Sequence, residues 1–313
     1  MYDRIILKAT IDTADIPTIV LRNYLEECTE GDEVYYKSTA YANFDGVTIE
    51  IRGNRLTCKC SICKLWSKLR TGRLDNSSPM TFAMACRTID ELLLRLSVRK
   101  ENAWVTYYEV GLTMKMRQPA DVYIRQVEEA AGRQLWNDAN YPEFRQKTSE
   151  KSKYFRKVLK IYDKTFEAEE KGRHVDRNIL RIETVYRHQR VPLTELTDPL
   201  FMSKIGRIFY DDWSGMCFLR ELTAEKGVKL SQLERAREIQ RVGVTRYKQR
   251  YRQEYQAGRL TKKQWETIRS FANNWDAEKQ KFTEIIGPLE EEFKDHLLRS
   301  YQTGIFMPKK KNM

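Results

Sequence analysis

The sequence predicts an α+β protein in which an antiparallel sheet, laid out in two similar halves, is backed by helices and followed by a helical C-terminal region. Three features carry this reading. The strand-like runs before Pro192 alternate apolar and polar residues, as strands with one buried face do. The order of strand, helix, polar stretch and further strands occurs twice before that proline. Beyond it, runs such as KLSQLERAREIQRVGVTRYKQRYRQEYQ keep helical apolar spacing amid dense charge, with scarcely a strand signal from about Leu200 to Tyr301. Residues 1–192 are expected to form one mixed domain, and 193–313 a helical, basic, DNA-binding or accessory region.

Taken in order, Asp3 to Ala9 form a first strand, and Thr18 to Cys28 carry apolar residues at helical spacing. Val47 to Ile51 and Arg55 to Ile62 form two more strands joined by the turn pair Gly53-Asn54. Pro79 precedes a helix whose apolar stripe includes Phe82, Ile89, Leu92, Leu93 and Leu96. The second half opens with the strand AWVTYYEVGLTMKM. It continues through a helix from Pro119 to Ala131 and a polar stretch, and ends with the strands FRKVLKIYDK and NILRIETVYR. In the C-terminal region Ala257-Gly258 and Gly287-Pro288 separate helices, and the tail PKKKNM reads as basic and disordered.

With 313 residues the chain buries a sizeable core without a staple, and 32% charged against 41% hydrophobic residues fits a globular protein. The net charge of +12 favours polyanionic partners, because each phosphate neutralised by Lys or Arg releases condensed counterions. No run of about eighteen apolar residues occurs, and MYDRIILKAT lacks the features of a signal peptide, so the expected location is cytoplasmic, with reduced thiols. Cys58, Cys60 and Cys63 have the look of half a zinc site. Zinc needs four ligands, however, and Cys28, Cys86, Cys217 and the histidines His174, His188 and His296 are isolated in sequence. Packing accounts for the cluster at least as well, since Cys58 and Cys60 share one face of a strand.

Candidate chemistry lies on three strands of the second half. In VTYYEVGLTMKM a period of two puts Val105, Tyr107, Glu109, Gly111 and Thr113 on one face and Tyr108, Val110, Leu112 and Met114 on the other, so Glu109 stands mid-strand on the open face. In RKVLKIYDK the residues Lys160, Tyr162 and Lys164 share the polar face, a setting in which two ammonium groups favour a phenoxide and a phosphate. In NILRIETVYR, Arg181 and Glu183 share a face. Two carboxylates and a tyrosine so placed suit a metal-assisted transesterification on DNA, with Mg²⁺ or Mn²⁺ on the carboxylates and the phenol attacking phosphorus. Tyr107, which shares a face with Glu109, is the best substitute nucleophile, ahead of Tyr108, Tyr154 and Tyr186. In the C-terminal helices Arg235, Arg237, Arg241, Arg246, Lys248, Arg250 and Arg252, interleaved with Tyr247, Tyr251 and Tyr255, form a candidate phosphate-gripping surface. A solvated, charge-laced helix has the same pattern.

The order VTYYEVGLTMKM, KIYDKTFEAEEKG and NILRIETVYR resembles the phage and plasmid replication proteins of the filamentous-phage gene II/X type and the related plasmid replication-initiation family. The likeness spans roughly Met1 to Asp212, counting MYDRIILKA as a first strand and PLFMSKIGRIFYDDW as a post-sheet helix. It implies a rolling-circle initiator that binds origin DNA, as duplex or hairpin and as single strand, nicks and rejoins one strand through a phosphotyrosine, and works with host replication machinery. Carried over residue by residue, Glu109 and Glu183 correspond to the metal-binding acids, Tyr162 to the nucleophile and Lys164 to the following lysine. Lys160 joins them as a candidate catalytic group, and Arg181 as a candidate DNA contact. The sequence departs from the pattern in two respects: it has no His-hydrophobe-His motif, and Thr113 stands where a second acid is expected, leaving no evident third acidic ligand. The rival reading is a DNA-binding protein of the same fold that recruits replication machinery without cutting. A structural RNA-binding protein accounts for the charge but not for the motif order.

Overall fold

Alternation of buried and exposed residues builds the first unit of the chain strand by strand. The computed structural model describes residues 1–39, 46–76, 80–148, 156–173, 175–219 and 221–303, so Pro79, Tyr154, His174 and the tail PKKKNM lie outside the described residues. The first half runs β1 (Tyr2–Thr10), α1 (Ile16–Asn23), β2 (Glu26–Glu30), β3 (Glu33–Lys37), β4 (Thr48–Arg52), β5 (Arg55–Ser61), α2 (Ile62–Thr71) and α3 (Phe82–Arg95). The second half repeats the layout as β6 (Ala103–Lys115), α4 (Ala120–Ile124), β7 (Val127–Ala130), β8 (Arg133–Asn137), β9 (Arg145–Thr148), β10 (Lys157–Asp163) and α5 (Lys164–Glu170). It then adds β11 (Ile179–Tyr186), β12 (Val191–Pro192), α6 (Leu193–Leu196) and α7 (Pro199–Ser214).

These strands form an antiparallel sheet in the order β7-β8-β9-β10-β11-β6-β1-β5-β4-β3-β2, with β12 also on β6. Central β11 is buried along its whole length. Helices supply the core on the apolar side. The α3 stripe of Phe82, Ala85, Ile89, Leu92 and Leu93 is buried, and Trp213 of α7 reaches β11, its indole donating to the Thr184 hydroxyl at 3.1 Å. A Lys157–Asp212 ion pair at 2.7 Å ties α7 to β10 as well.

Several local expectations change for stereochemical reasons. The first helix stops at Asn23, because Tyr24 takes a left-handed conformation at φ 51° and the chain turns into β2. The helix expected over 119–131 is only the short α4. Ala131 and Gly132, both at positive φ, form a two-residue hairpin between β7 and β8 where the apolar periodicity suggested more helix. Gly53 does turn β4 into β5, with Arg52 opposite Arg55. Val105 faces the core rather than sharing the Glu109 face. The register slips between Leu7↔Val105 and Ile6↔Tyr107, and this bulge at Thr106 inverts the alternation.

The chain divides after Met216 into a second compact unit, Cys217–Glu292, while residues 293–303 belong to the first unit. The expected boundary at Pro192 falls earlier, because α7 is anchored to β10 and β11. The second unit holds β13 (Cys217–Phe218), β14 (Glu221–Ala224), α8 (Leu230–Val242), α9 (Val244–Gln256), α10 (Lys262–Asn273), α11 (Trp275–Glu278) and β15 (Phe282–Ile285), and α12 (Pro288–Gln302) starts in it. It is mainly helical as expected, with one unforeseen antiparallel pair, β14–β15. Its core gathers Ala236, Ile239, Tyr247, Ile268, Phe271 and Phe282. No helix among the described residues is long and apolar enough to cross a membrane.

Cys58, Cys60 and Cys63 are buried free thiols. Burial pushes the Cys63 thiol up to about 12, and Cys60 beside it, together with burial, raises that of Cys58. Iodoacetamide should therefore modify exposed Cys217 in the native protein and reach these three only in denaturant. Labelling of all four at one rate in the native state would show that β5 and α2 are not packed as described.

Candidate active site

A β-bulge at the start of β1 assembles the site. Between Tyr2↔Val110 and Ile5↔Tyr108, β1 advances three residues while β6 advances two, so Asp3 and Arg4 together stand opposite Glu109. Such bulges re-aim side chains, and here the bulge turns Asp3, which plain alternation would put on the apolar face with Ile5, Leu7 and Ala9, toward the polar face. On the other side of β6, Glu183 of β11 pairs with Gly111, and Arg181 with Thr113. One strand further, Lys160 and Tyr162 of β10 lie opposite Glu183 and Arg181.

Asp3, Glu109 and Glu183 thereby offer carboxylate oxygens that all lie within 4.8 Å of one another, and all three residues are buried. Asp3 is the acid that sequence reasoning missed. It sits in an apolar run, and only the bulge reveals its direction. A second Asp3 contact explains its fixed position: Ser61, the N-cap of α2, accepts from the Lys64 backbone N–H and donates to Asp3 Oδ1 at 2.6 Å.

Two cations are built into the cluster. The Arg181 guanidinium donates to Glu183 Oε1 at 2.7 Å, to Asp3 Oδ2, to the Thr113 hydroxyl at 2.9 Å and to the Asn76 carbonyl at 3.1 Å. Arg181 is only 3% exposed, so its donors are spent inside the protein and the expected DNA contact does not fit its position. Lys160 Nζ reaches Glu109 Oε1 at 3.1 Å and lies 3.8 Å from Glu183 Oε2. Lys164 also bears on the cluster, its charge helping to lower the Asp3 carboxyl. It opens α5 behind the capping residue Asp163 and pairs with Glu167 at 2.6 Å.

Tyr162 is 8% exposed, and its hydroxyl donates to Glu183 Oε1 at 2.7 Å. Burial and then Glu183 raise its pKa well above that of an ordinary phenol, with Arg181 opposing them. The phenol is neutral at rest, so its proton must leave during any attack, and the Glu183 carboxylate already holds the position to accept it. Burial and Glu183 likewise raise the Glu109 carboxyl, offset by Lys160 and by the Tyr107 hydroxyl that donates to it. For Asp3, burial is outweighed by Arg181, the Ser61 hydroxyl and nearby lysines, which leaves it below the usual carboxylate range. Of the rival tyrosines, Tyr108 and Tyr186 stack at 4.6 Å in the core, away from the carboxylates.

Around this floor lies a cleft of about 830 Å³ whose walls carry Lys59, Lys64, Arg145, Lys147, Lys171 and Arg173. The α9 tyrosines, by contrast, face their own unit. Tyr247 is in its core, and Tyr255 stacks with Trp265 at 6.0 Å. Of the basic residues expected there, Arg241, Arg246 and Arg252 are exposed, Arg235 and Lys248 half-buried, and Arg250 paired with Glu238 at 2.7 Å.

Gly111 makes room for the buried cation. A Cβ there would come within 2.8 Å of the Arg181 guanidinium and 3.3 Å of the Glu183 Cγ. Gly111→Ala is expected to cost about 1–3 kcal/mol of stability through overpacking, read by urea unfolding. An unchanged midpoint would mean that the guanidinium is not held where its hydrogen bonds place it.

No protein-family profile matches the sequence, and no curated protein matches it. Among solved structures, the fold is similar to that of a rolling circle replication initiator protein from Geobacillus stearothermophilus. The two align over 74% of this chain and 89% of that chain, with a TM-score of 0.40 and 10% sequence identity.

Proposed function

We propose that the chain is a rolling-circle replication initiator that binds an origin and nicks and rejoins one DNA strand. Tyr162 is the nucleophile of this reading, and Asp3, Glu109 and Glu183 hold Mg²⁺ or Mn²⁺. The observation that carries it is the Tyr162 hydroxyl hydrogen-bonded to a member of a buried three-carboxylate cluster. The donor set fits a hard cation, since all three residues would offer carboxylate oxygens, the ligands that Mg²⁺ and Mn²⁺ prefer. Such an ion, when bound, polarises a non-bridging phosphate oxygen.

The rest is the work of the chain's own side chains. Tyr162 passes its proton to Glu183 as its oxygen bonds to phosphorus, and the P–O3′ bond breaks with the 3′-oxygen taking a proton from solvent to become a 3′-hydroxyl, so that a 5′-phosphotyrosyl link replaces the phosphodiester bond. The energy of the broken bond is retained, and attack by a 3′-hydroxyl restores the strand without ATP. Lys160, between Glu109 and Glu183, offsets charge that develops on the phosphate. Lys164 holds Glu167 in the cleft wall. Exposed Arg241, Arg246 and Arg252 grip duplex phosphates beside the origin, and the assembled complex passes to host replication machinery.

Tyr162→Phe keeps the ring and its packing, so folding and DNA binding should persist while nicking of supercoiled origin DNA and covalent attachment fall below detection. EDTA should do the same to the wild type. A trapped adduct on Tyr107 instead would transfer the nucleophile to that residue. Replacing Arg241, Arg246 and Arg252 by Gln should lower the salt slope for duplex binding by roughly 2–3, at about 0.9 per phosphate contact. An unchanged slope would detach these helices from DNA.

A further inference from the structure

The polar face of the sheet does not end at the carboxylates. Register pairing lines up Ile6, Lys59 and Thr48 in one row across β1, β5 and β4, and Lys8, Thr57, Glu50 and Lys37 in the next row, which reaches β3. A third row brings Thr10, Arg55, Arg52 and Tyr35 together. Lys59 and Thr48 wall the catalytic cleft and also a second cleft of about 440 Å³ lined by Lys8, Lys37, Thr57 and Thr106, so the two are continuous. A third depression shares Lys8 and Thr57 and extends to Arg55.

Cations outnumber acids on the β1, β5, β4 and β3 face, with Lys8, Lys37, Lys59, Arg52 and Arg55 against Glu33 and Glu50. Arg52 binds both acids, at 3.1 and 2.8 Å, and Glu30 of β2 at 2.8 Å. Lys8, Lys59 and Arg55 are exposed and form no ion pair among the described residues. Short hydroxyl side chains lie between the cations, which leaves room for a backbone to settle against the strands. From β10 to β4 the face crosses five strand spacings, about 24 Å at about 4.8 Å each, enough for several phosphates.

We infer that the face formed by β1, β5, β4 and β3 is a binding track for single-stranded DNA on one flank of the scissile phosphate. This rests on the nicking function proposed above and extends its substrate site. A single strand is favoured over duplex because the Tyr162 hydroxyl lies on the floor of the cleft, where that residue is 8% exposed. A phosphate reaches it only if the strand leaves its partner and follows the floor, and the floor continues toward Lys8 and Arg55. Cationic grooves of this kind hold single strands with little sequence preference and strong salt dependence.

The test uses the full chain in EDTA, a fluorescent twenty-nucleotide oligothymidylate, and a blunt duplex of the same length. Lys8→Gln, Lys37→Gln and Arg55→Gln combined should weaken oligothymidylate binding at least tenfold and lower its salt slope by about 2, at about 0.7 per single-strand phosphate, with duplex binding unchanged. The charge-keeping combination Lys8→Arg, Lys37→Arg and Arg55→Lys should bind as the wild type does. Wild-type affinity in the glutamine variant, or an equal loss for both probes, would overturn the track. Photocrosslinking of the wild type to a bromodeoxyuridine-substituted strand provides a readout without substitutions. Adducts are expected on peptides of β1, β4 and β5, and adducts confined to residues 217–292 would overturn it. Because nothing is cut in EDTA, an inactive Tyr162 leaves both readouts intact, and a failed track leaves the Tyr162 adduct assay intact.

Discussion

Three carboxylates within 4.8 Å of one another and nearly out of water repel strongly, and a fold that buries them must bury cations with them. Arg181 meets this constraint. Its fork spans Asp3 and Glu183, and its remaining hydrogen bonds reach Thr113 and the Asn76 carbonyl, so one side chain joins β1, β6, β11 and the segment after α2. Removing one partner from such a buried set leaves an uncompensated charge, at a cost of roughly 3–5 kcal/mol. The missing Cβ of Gly111, the bulge at Asp3 and Arg4, and the Ser61 cap all serve this one arrangement.

The same arrangement sets the chemistry in the proposed reading. Glu183 Oε1 is engaged by both Arg181 and Tyr162. Burial keeps Tyr162 protonated at rest. Central strands hold these groups, and rigid strands position reacting atoms more accurately than loops do.

Much of this was legible in the sequence. Strand alternation placed Glu109, Tyr162 and Glu183 on polar faces, and the register brings all three to one cleft. What could not be read were the breaks in alternation. The bulge beside Asp3 hid one acid, and the bulge at Thr106 moved Val105 to the core. Arg181 read as a DNA contact because charge in sequence does not reveal burial. β2, β3, β7, β8 and β9 are short and rich in polar residues, and their identity depends on turns at Gly31 and Ala131-Gly132, where positive φ is a property of the fold.

The central claim is that the bulged Asp3 completes a cation site with Glu109 and Glu183. Mn²⁺ titration followed by electron paramagnetic resonance tests it most directly. The wild type should bind one ion with a Tyr162-independent signal, and Asp3→Asn, which keeps the side-chain shape, should lose at least tenfold in affinity while remaining folded. Mn²⁺ binding by a folded Asp3→Asn at wild-type affinity would contradict it.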